Sequence, residues 1–308
     1  MEEYIYTVRT YLPVEFEEPE TNEFIDYLVS AYLENLPNEK FQFSFTAFHM
    51  LYMSYVFKVK WFLKQQGNAA IEASLNNFAQ QNKCTFNTLF DLSQISEKTT
   101  VEKLLLGLSF HVNDIGICKN FVDVRNNCSH ASGKVYYKKA PQVEHYILEA
   151  IENIVAIQKK VKPQIKIIFE KFIEETYDKN WIESELKDWI INNYLSQKDI
   201  EEILLLKPAF LRQNSDSKEI VLKKILYSVL VSELVNYLDN KGDFVTKSIT
   251  ALMKGLAPQI DIRKNSADAE RMKNTQELIE EKIVPILTEL SNEESIKAQE
   301  ILKLNTLE

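Results

Sequence analysis

A short polar string, Arg125-Asn126-Asn127-Cys128-Ser129-His130, combines residue types that can act on a phosphate group. An arginine stays charged and can hold a phosphate while it neutralises charge that grows in a transition state. A histidine exchanges its proton near neutral pH and can act as a general acid or base. The amide of Asn126 can orient the histidine or bind the phosphate. These types at this spacing favour proton-transfer chemistry at a phosphodiester.

The residues before this string predict the helix that positions Arg125. Cys118, Phe121, Val122 and Arg125 fall on one stripe of a helix predicted from Ile115 to about Asn127. A guanidinium on an otherwise apolar stripe is costly to bury unless it is paired. The charge of Arg125 therefore needs either an ionic partner inside the fold or a bound ligand.

The string matches the R-x4-6-H signature of the HEPN domain family (higher eukaryotes and prokaryotes nucleotide-binding), with the preferred polar residue directly after the arginine. HEPN domains are small helical bundles whose motif lies at the junction of two late helices. Here the motif follows the predicted helix that ends near Asn127 and precedes one predicted from about Gln142 to Lys160. The chain resembles that family over about Phe24 to Lys162, roughly half of its length.

The resemblance implies a metal-independent endoribonuclease without a cofactor, in which Arg125 and His130 are catalytic and Asn126 supports them. Such an enzyme needs the ribose 2′-OH, so its substrate is RNA, and it leaves a 2′,3′-cyclic phosphate and a 5′-OH. The family usually brings two motifs together and this chain carries one good copy, which implies a homodimer with a composite site. Residues expected to bind flanking phosphates are Lys134, Lys138 and Lys139.

HEPN proteins often act as toxins or as effectors in anti-phage defence, so the resemblance implies that role, with an antitoxin or a sensor protein as a further partner. One position departs from the family pattern. HEPN toxins that pair with nucleotidyltransferase antitoxins have a Tyr two residues after the His, and this chain has Ser132 there. AMP modification at that position is therefore not implied.

Two alternatives stay open beside the enzyme. In the first, the chain is a catalytically inactive helical dimerisation or interaction module in which Arg125 meets the helix dipole and His130 caps the helix. The second is a nucleic-acid-binding regulator, which needs a basic recognition surface. The net charge of −9 speaks against that surface, although residues 131–166 carry seven Lys against three Glu.

Composition favours a folded all-α protein. The 308 residues are 45% hydrophobic and 11% aromatic, which is too apolar for a disordered chain, and only six are glycine. Periodicity predicts a helical bundle over residues 23–162, which the resemblance implies is HEPN-like, and a second helical domain of unknown role over 163–308. Residues 1–22 contain the β-prone run Tyr4–Val8 and two prolines, which favour a short strand or an arm.

Other candidate sites are weaker. His49 lies inside a long apolar helix predicted from about Gln42 to Gln66, where a core histidine is the better interpretation. The three cysteines have no C-x2-C spacing, so no zinc or other metal site is predicted. The acidic N-terminus is unlike a signal peptide, and no apolar run reaches membrane-spanning length. We therefore expect a cytoplasmic protein that does not enter a membrane.

Overall fold

The computed structural model describes residues 1–129, 135–178, 183–206, 208–213 and 217–239. Within these ranges 79% of residues are helical and none lies in a β-strand. This confirms the predicted all-α fold class. The helices predicted beyond Asp239 and the side chains of His130 and Lys134 lie outside the described residues.

Ten α-helices and two short 3-10 turns make up the described part of the chain. The α-helices are α1 (Glu2–Arg9), α2 (Pro19–Asn35), α3 (Phe41–Gln65), α4 (Ala69–Asn82), α5 (Glu97–Gly107), α6 (Val112–Ser129), α7 (Ala140–Thr176), α8 (Glu183–Asn192), α9 (Gln197–Leu204) and α10 (Lys218–Asp239). The 3-10 turns are Leu89–Gln94 and Ala209–Arg212.

The chain divides into two compact units. The first consists of residues 1–167 together with 187–202, and the second of residues 168–186 and 203–308. The helix α7 begins in the first unit and continues beyond it, past an internal proline at position 163. Pro163 is exposed, so the carbonyl left without a helical donor can bind water instead.

The N-terminal segment is helical over Glu2–Arg9, whereas the sequence favoured a short strand or an arm in this region. Ile5 and Val8 are fully buried and lie one helical turn apart, whereas a strand would point them to opposite faces. Glu2 and Glu3 occupy the first turn, where negative charge stabilises a helix. Tertiary burial therefore overrides the β-propensity of the tyrosines in this segment.

The helix α3 forms the core of the first unit. Nineteen of its 25 residues are buried, including every position from Leu51 to Leu63. Burial on nearly all sides is what its apolar sequence predicted. Its neighbours in the first unit include α2, α5 and α6. No helix in the described ranges is both long and apolar enough to cross a membrane.

A charged pair lies inside this apolar core. The Lys58 ammonium on α3 donates to Asp199 at the start of α9, and the two side chains are 2% and 0% exposed. Asp199 also accepts hydrogen bonds from Gln158 at 2.6 Å and from the hydroxyl of Ser196 at 2.7 Å. Burial opposes the ionisation of Asp199, but Lys58 and these donors outweigh it and lower the pKa of the carboxyl. The cluster joins α3, α7 and α9 within the first unit.

We expect Lys58→Ala to lower the free energy of unfolding by about 3–5 kcal/mol, because it leaves the Asp199 carboxylate buried without its counter-charge. Urea denaturation monitored by circular dichroism measures this change. Lys98→Ala is the matched control, since Lys98 pairs with Asp123 on the surface and its loss should cost about 0–1 kcal/mol. A similar cost for both variants would contradict the assignment of Lys58 as a buried structural charge.

Candidate functional site

Helix α6 carries Arg125 at the edge of the core. Cys118, Phe121 and Val122 are 6%, 5% and 2% exposed, which confirms that they form the buried stripe of this helix. Arg125 continues the same stripe near the C-terminal end, and its side chain is 21% exposed. The stripe is therefore buried from Cys118 to Val122 and reaches the surface at Arg125.

The partner of Arg125 is Glu97, in the first turn of α5. The Nη2 atom of Arg125 forms an ion pair with Oε1 of the Glu97 carboxylate. Ser96 caps α5, since its hydroxyl accepts a hydrogen bond from the Thr99 amide at 3.3 Å. This cap sets where α5 begins and so places the carboxylate opposite α6.

The other oxygen of Glu97 contacts His49 on α3. The distance between His49 Nε2 and Glu97 Oε2 is 2.9 Å, and the His49 side chain is fully buried, as predicted for a core histidine. Burial lowers the pKa of His49, so the ring is neutral at pH 7 and its Nε2 donates to the carboxylate. The ring packs against Phe121, with centroids 5.1 Å apart. Its Nδ1 has no hydrogen-bond partner among the described residues.

Glu97 thus joins two positive or hydrogen-donating groups from different helices. Burial raises the pKa of this carboxyl, but hydrogen bonds from His49 and Arg125 outweigh burial and bring the pKa down from 4.5 to about 2. The carboxylate is ionised at every physiological pH. It neutralises the guanidinium locally and fixes its position, which gives Arg125 a structural partner inside its own chain.

Of the other predicted site residues, Asn126 comes before residues 130–134, which the structure does not describe, and Lys138 and Lys139 come after them. Asn126 lies half-buried in the last turns of α6. Lys138 and Lys139 are exposed immediately before α7, and their backbone amides donate to the Gln142 side chain at 3.1 and 3.2 Å. His130 and Lys134 fall between these two groups, outside the described residues.

Sequence reasoning missed Glu97 as a member of this site. From the sequence alone, Thr99–Glu102 is typical of an N-cap region and predicts a helix from Val101 to Phe110, whereas α5 begins at Glu97. The earlier signal is Ser96, an N-cap residue type directly before an acidic residue. A second signal is Arg125 itself, because a guanidinium on an apolar stripe requires an acidic partner from another element.

Metal ligation has no candidate in the described part of the chain. Among the described residues, no three His, Cys, Asp or Glu side chains are grouped so that they could hold a metal ion.

Comparison with protein-family models found no match to this sequence, and comparisons with curated proteins and with solved structures also found none. The resemblance to HEPN domains therefore depends on the motif and the helical arrangement alone.

We expect the free energy of unfolding of Glu97→Gln to fall less steeply with decreasing pH, in the acid range, than that of the wild type. The lowered pKa of Glu97 contributes stability that is complete above about pH 4.5 and is lost as the pH falls towards about 2. This shift corresponds to about 3 kcal/mol. The lowered pKa of His49 acts in the same direction, because the unfolded state takes up its proton first as the pH falls. Urea unfolding at pH 7, 5 and 3.5 measures the difference.

Glu175→Gln is the control for this titration, since Glu175 is an exposed member of a surface pair with Lys171. Its stability profile should parallel that of the wild type. If Glu97→Gln also parallels the wild type between pH 5 and 3.5, the carboxylate does not carry the acid sensitivity.

Proposed function

We propose that this protein is a metal-independent endoribonuclease of the HEPN type that cuts RNA at a composite site in a homodimer. The observation that supports this most is the placement of Arg125. It is anchored by Glu97 and partly exposed, and it lies five residues before His130 in the sequence. A fixed, partly exposed guanidinium that the sequence follows with a histidine supports the proposal, because phosphodiester cleavage needs both groups at one site.

The reaction assigns a role to each motif residue. The ribose 2′-oxygen attacks phosphorus while His130 takes its proton, and the bond from phosphorus to the 5′-oxygen breaks. The leaving 5′-oxygen takes up a proton, which the His130 of the second copy supplies. Arg125 stabilises the charge on the phosphate oxygens, and Asn126 orients the histidine or the phosphate. The products are a 2′,3′-cyclic phosphate and a 5′-OH.

Exposed apolar side chains near the motif support the homodimer. On α3, Phe43 is 62% and Met50 is 40% exposed, and before α7, Val135 is 60% and Tyr136 is 39% exposed. The Tyr136 amide donates to the Gln42 side chain at 3.0 Å, so the segment before α7 lies beside the start of α3. Exposed apolar side chains on neighbouring segments favour contact with another chain.

A second candidate function is a catalytically inactive dimerisation or interaction module. The ion pair between Arg125 and Glu97, with His49 behind it, favours this alternative because it explains the charge on α6 without any RNA. The difference lies in what the pair does. In the enzyme the carboxylate positions an arginine for substrate, and in the module it only completes the fold.

The biological role that accompanies the enzyme is that of a toxin or an anti-phage effector, controlled by an antitoxin or a sensor protein. This role comes from the HEPN resemblance alone. The second unit is the natural place for such control, because the motif belongs to the first.

We expect purified full-length protein to cleave total RNA or tRNA in EDTA, and His130→Ala to abolish the cleavage. His145→Ala is the matched control, since His145 is 67% exposed on α7 and lies outside the motif. The measurement is gel electrophoresis of the RNA with analysis of the fragment ends for cyclic phosphate. General acid–base catalysis is worth about 100- to 10,000-fold, so the loss should be large.

Substitutions of Arg125 distinguish the enzyme from the interaction module. In the enzyme, Arg125→Lys keeps the charge and most of the stability but loses cleavage, because a lysine cannot hold a phosphate in the bidentate geometry. In the interaction module, no variant of Arg125 or His130 changes RNA, and Arg125→Ala lowers stability by a few kcal/mol. Intact RNA with wild-type protein, together with an unaltered dimer in the His130→Ala variant, would favour the module.

A further inference from the structure

An open pocket on the first unit, whose lining does not include Arg125, lies between the end of α5 and helices α3, α6 and α7. Its volume is about 390 Å³, within the range of about 300–1,000 Å³ typical of small-molecule sites. Six of its lining residues define its chemistry: the aromatic Tyr52, Phe110 and Phe121, and the acidic Asp114, Glu149 and Glu152.

The pocket carries negative charge that its own lining does not neutralise. Asp114 comes from the first turn of α6, and Glu149 and Glu152 lie one turn apart on α7. No Lys, Arg or His is among the residues that line it. Outside the lining, a ring nitrogen of His145 lies 3.5 Å from Glu149. Lys159 and Lys160 line the adjoining groove, to which Glu152 also contributes. The charges of the pocket's own lining favour a cationic ligand.

The same carboxylates act on the buried thiol of Cys118. Burial raises the pKa of Cys118, and the charges of Asp114 and Glu149 raise it further, to about 12. The thiol therefore stays protonated and neutral at the base of the pocket. Its sulfur accepts a hydrogen bond from Asn153 at 2.7 Å, and Asn153 in turn accepts one from the Tyr52 hydroxyl at 2.8 Å. The polar groups at the base are paired with one another, which leaves the carboxylates and rings to contact a ligand.

The arrangement of the acids argues against a single metal ion. Asp114, Glu149 and Glu152 all lie within the described residues, and they do not form a group that could hold a metal. Three negative charges that do not converge on one point, around a base whose polar groups are already paired, instead match an extended cation whose charges are separated by methylene groups.

The aromatic wall is suited to ammonium groups. Phe110 already has one cation near it, because the Lys160 ammonium lies 5.8 Å from the centre of its ring. Phe110 also lines the adjoining open groove, so it is shared between the two cavities. Ammonium groups and the methylenes next to them bind favourably over aromatic rings.

From these observations we infer that the pocket bounded by Phe110, Phe121, Asp114, Glu149 and Glu152 binds an aliphatic polyamine. The carboxylates pair with the separated ammonium groups, and the rings cover the methylene chain between them. This inference does not depend on the proposed ribonuclease activity, since the pocket uses none of the motif residues.

Isothermal titration of full-length protein with spermidine at pH 8 tests the inference. We expect one site, with binding about 2- to 5-fold weaker in Asp114→Asn and in Glu149→Gln, and about 10-fold weaker or more in the double variant. Phe110→Ala should weaken binding by about 2- to 5-fold without any change of charge. Circular dichroism verifies that each variant is folded, which we expect because both acids are at least partly exposed.

Glu175→Gln is the charge-matched control. It removes one negative charge from an exposed pair outside the pocket and should leave spermidine affinity unchanged. The uncharged analogue 1,8-octanediol tests the need for ammonium groups, and we expect no binding. Equal affinity for spermidine in the wild type and the double variant would overturn the inference. An equal loss in Glu175→Gln would also overturn it, because binding would then follow net charge alone.

Discussion

The buried pair of Lys58 and Asp199 is the constraint on which the first unit depends. Taking two charges out of water is expensive, and the cost is offset only when the geometry is good and the remaining hydrogen bonds are satisfied. Asp199 meets that condition through Gln158 and Ser196, which lie on or beside two other helices. The core around α3 therefore tolerates a lysine at its centre only while α7 and the segment before α9 are packed against it.

The Arg125 site repeats this arrangement nearer to the surface. A carboxylate at the start of one helix holds a guanidinium from a second helix and an imidazole from the central one. Because Glu97 is shared, a change at either partner alters the electrostatics of the other. Through Glu97, His49 thereby links α3 to Arg125, the first residue of the motif, and Phe121 packs against the His49 ring.

The hydrophobic periodicity of the sequence was sufficient to predict much of the helical structure. The predicted helix from about Gln42 to Gln66 is α3 (Phe41–Gln65), and the stripe of α6 is buried as its spacing indicated. The pairings were beyond such reasoning, because Lys58 and Asp199 are 141 positions apart and periodicity carries no information on which helices meet. The strand expected at the N-terminus failed for the same reason, since burial of Ile5 against the core decided its conformation. The residue types of the string that ends in His130 suggested its chemistry from the sequence alone. The pairing of Arg125 with the Glu97 carboxylate could be identified only from the structure.

The division of the chain has a consequence for synthesis on the ribosome. The polypeptide leaves the first unit after residue 167, returns for residues 187–202, and leaves again. When residues 1–167 have emerged, Lys58 has no carboxylate to meet, because Asp199 has not yet been translated. The first unit therefore closes only after a detour of about twenty residues into the second unit, although most of the second unit, residues 203–308, has not yet been translated at that point.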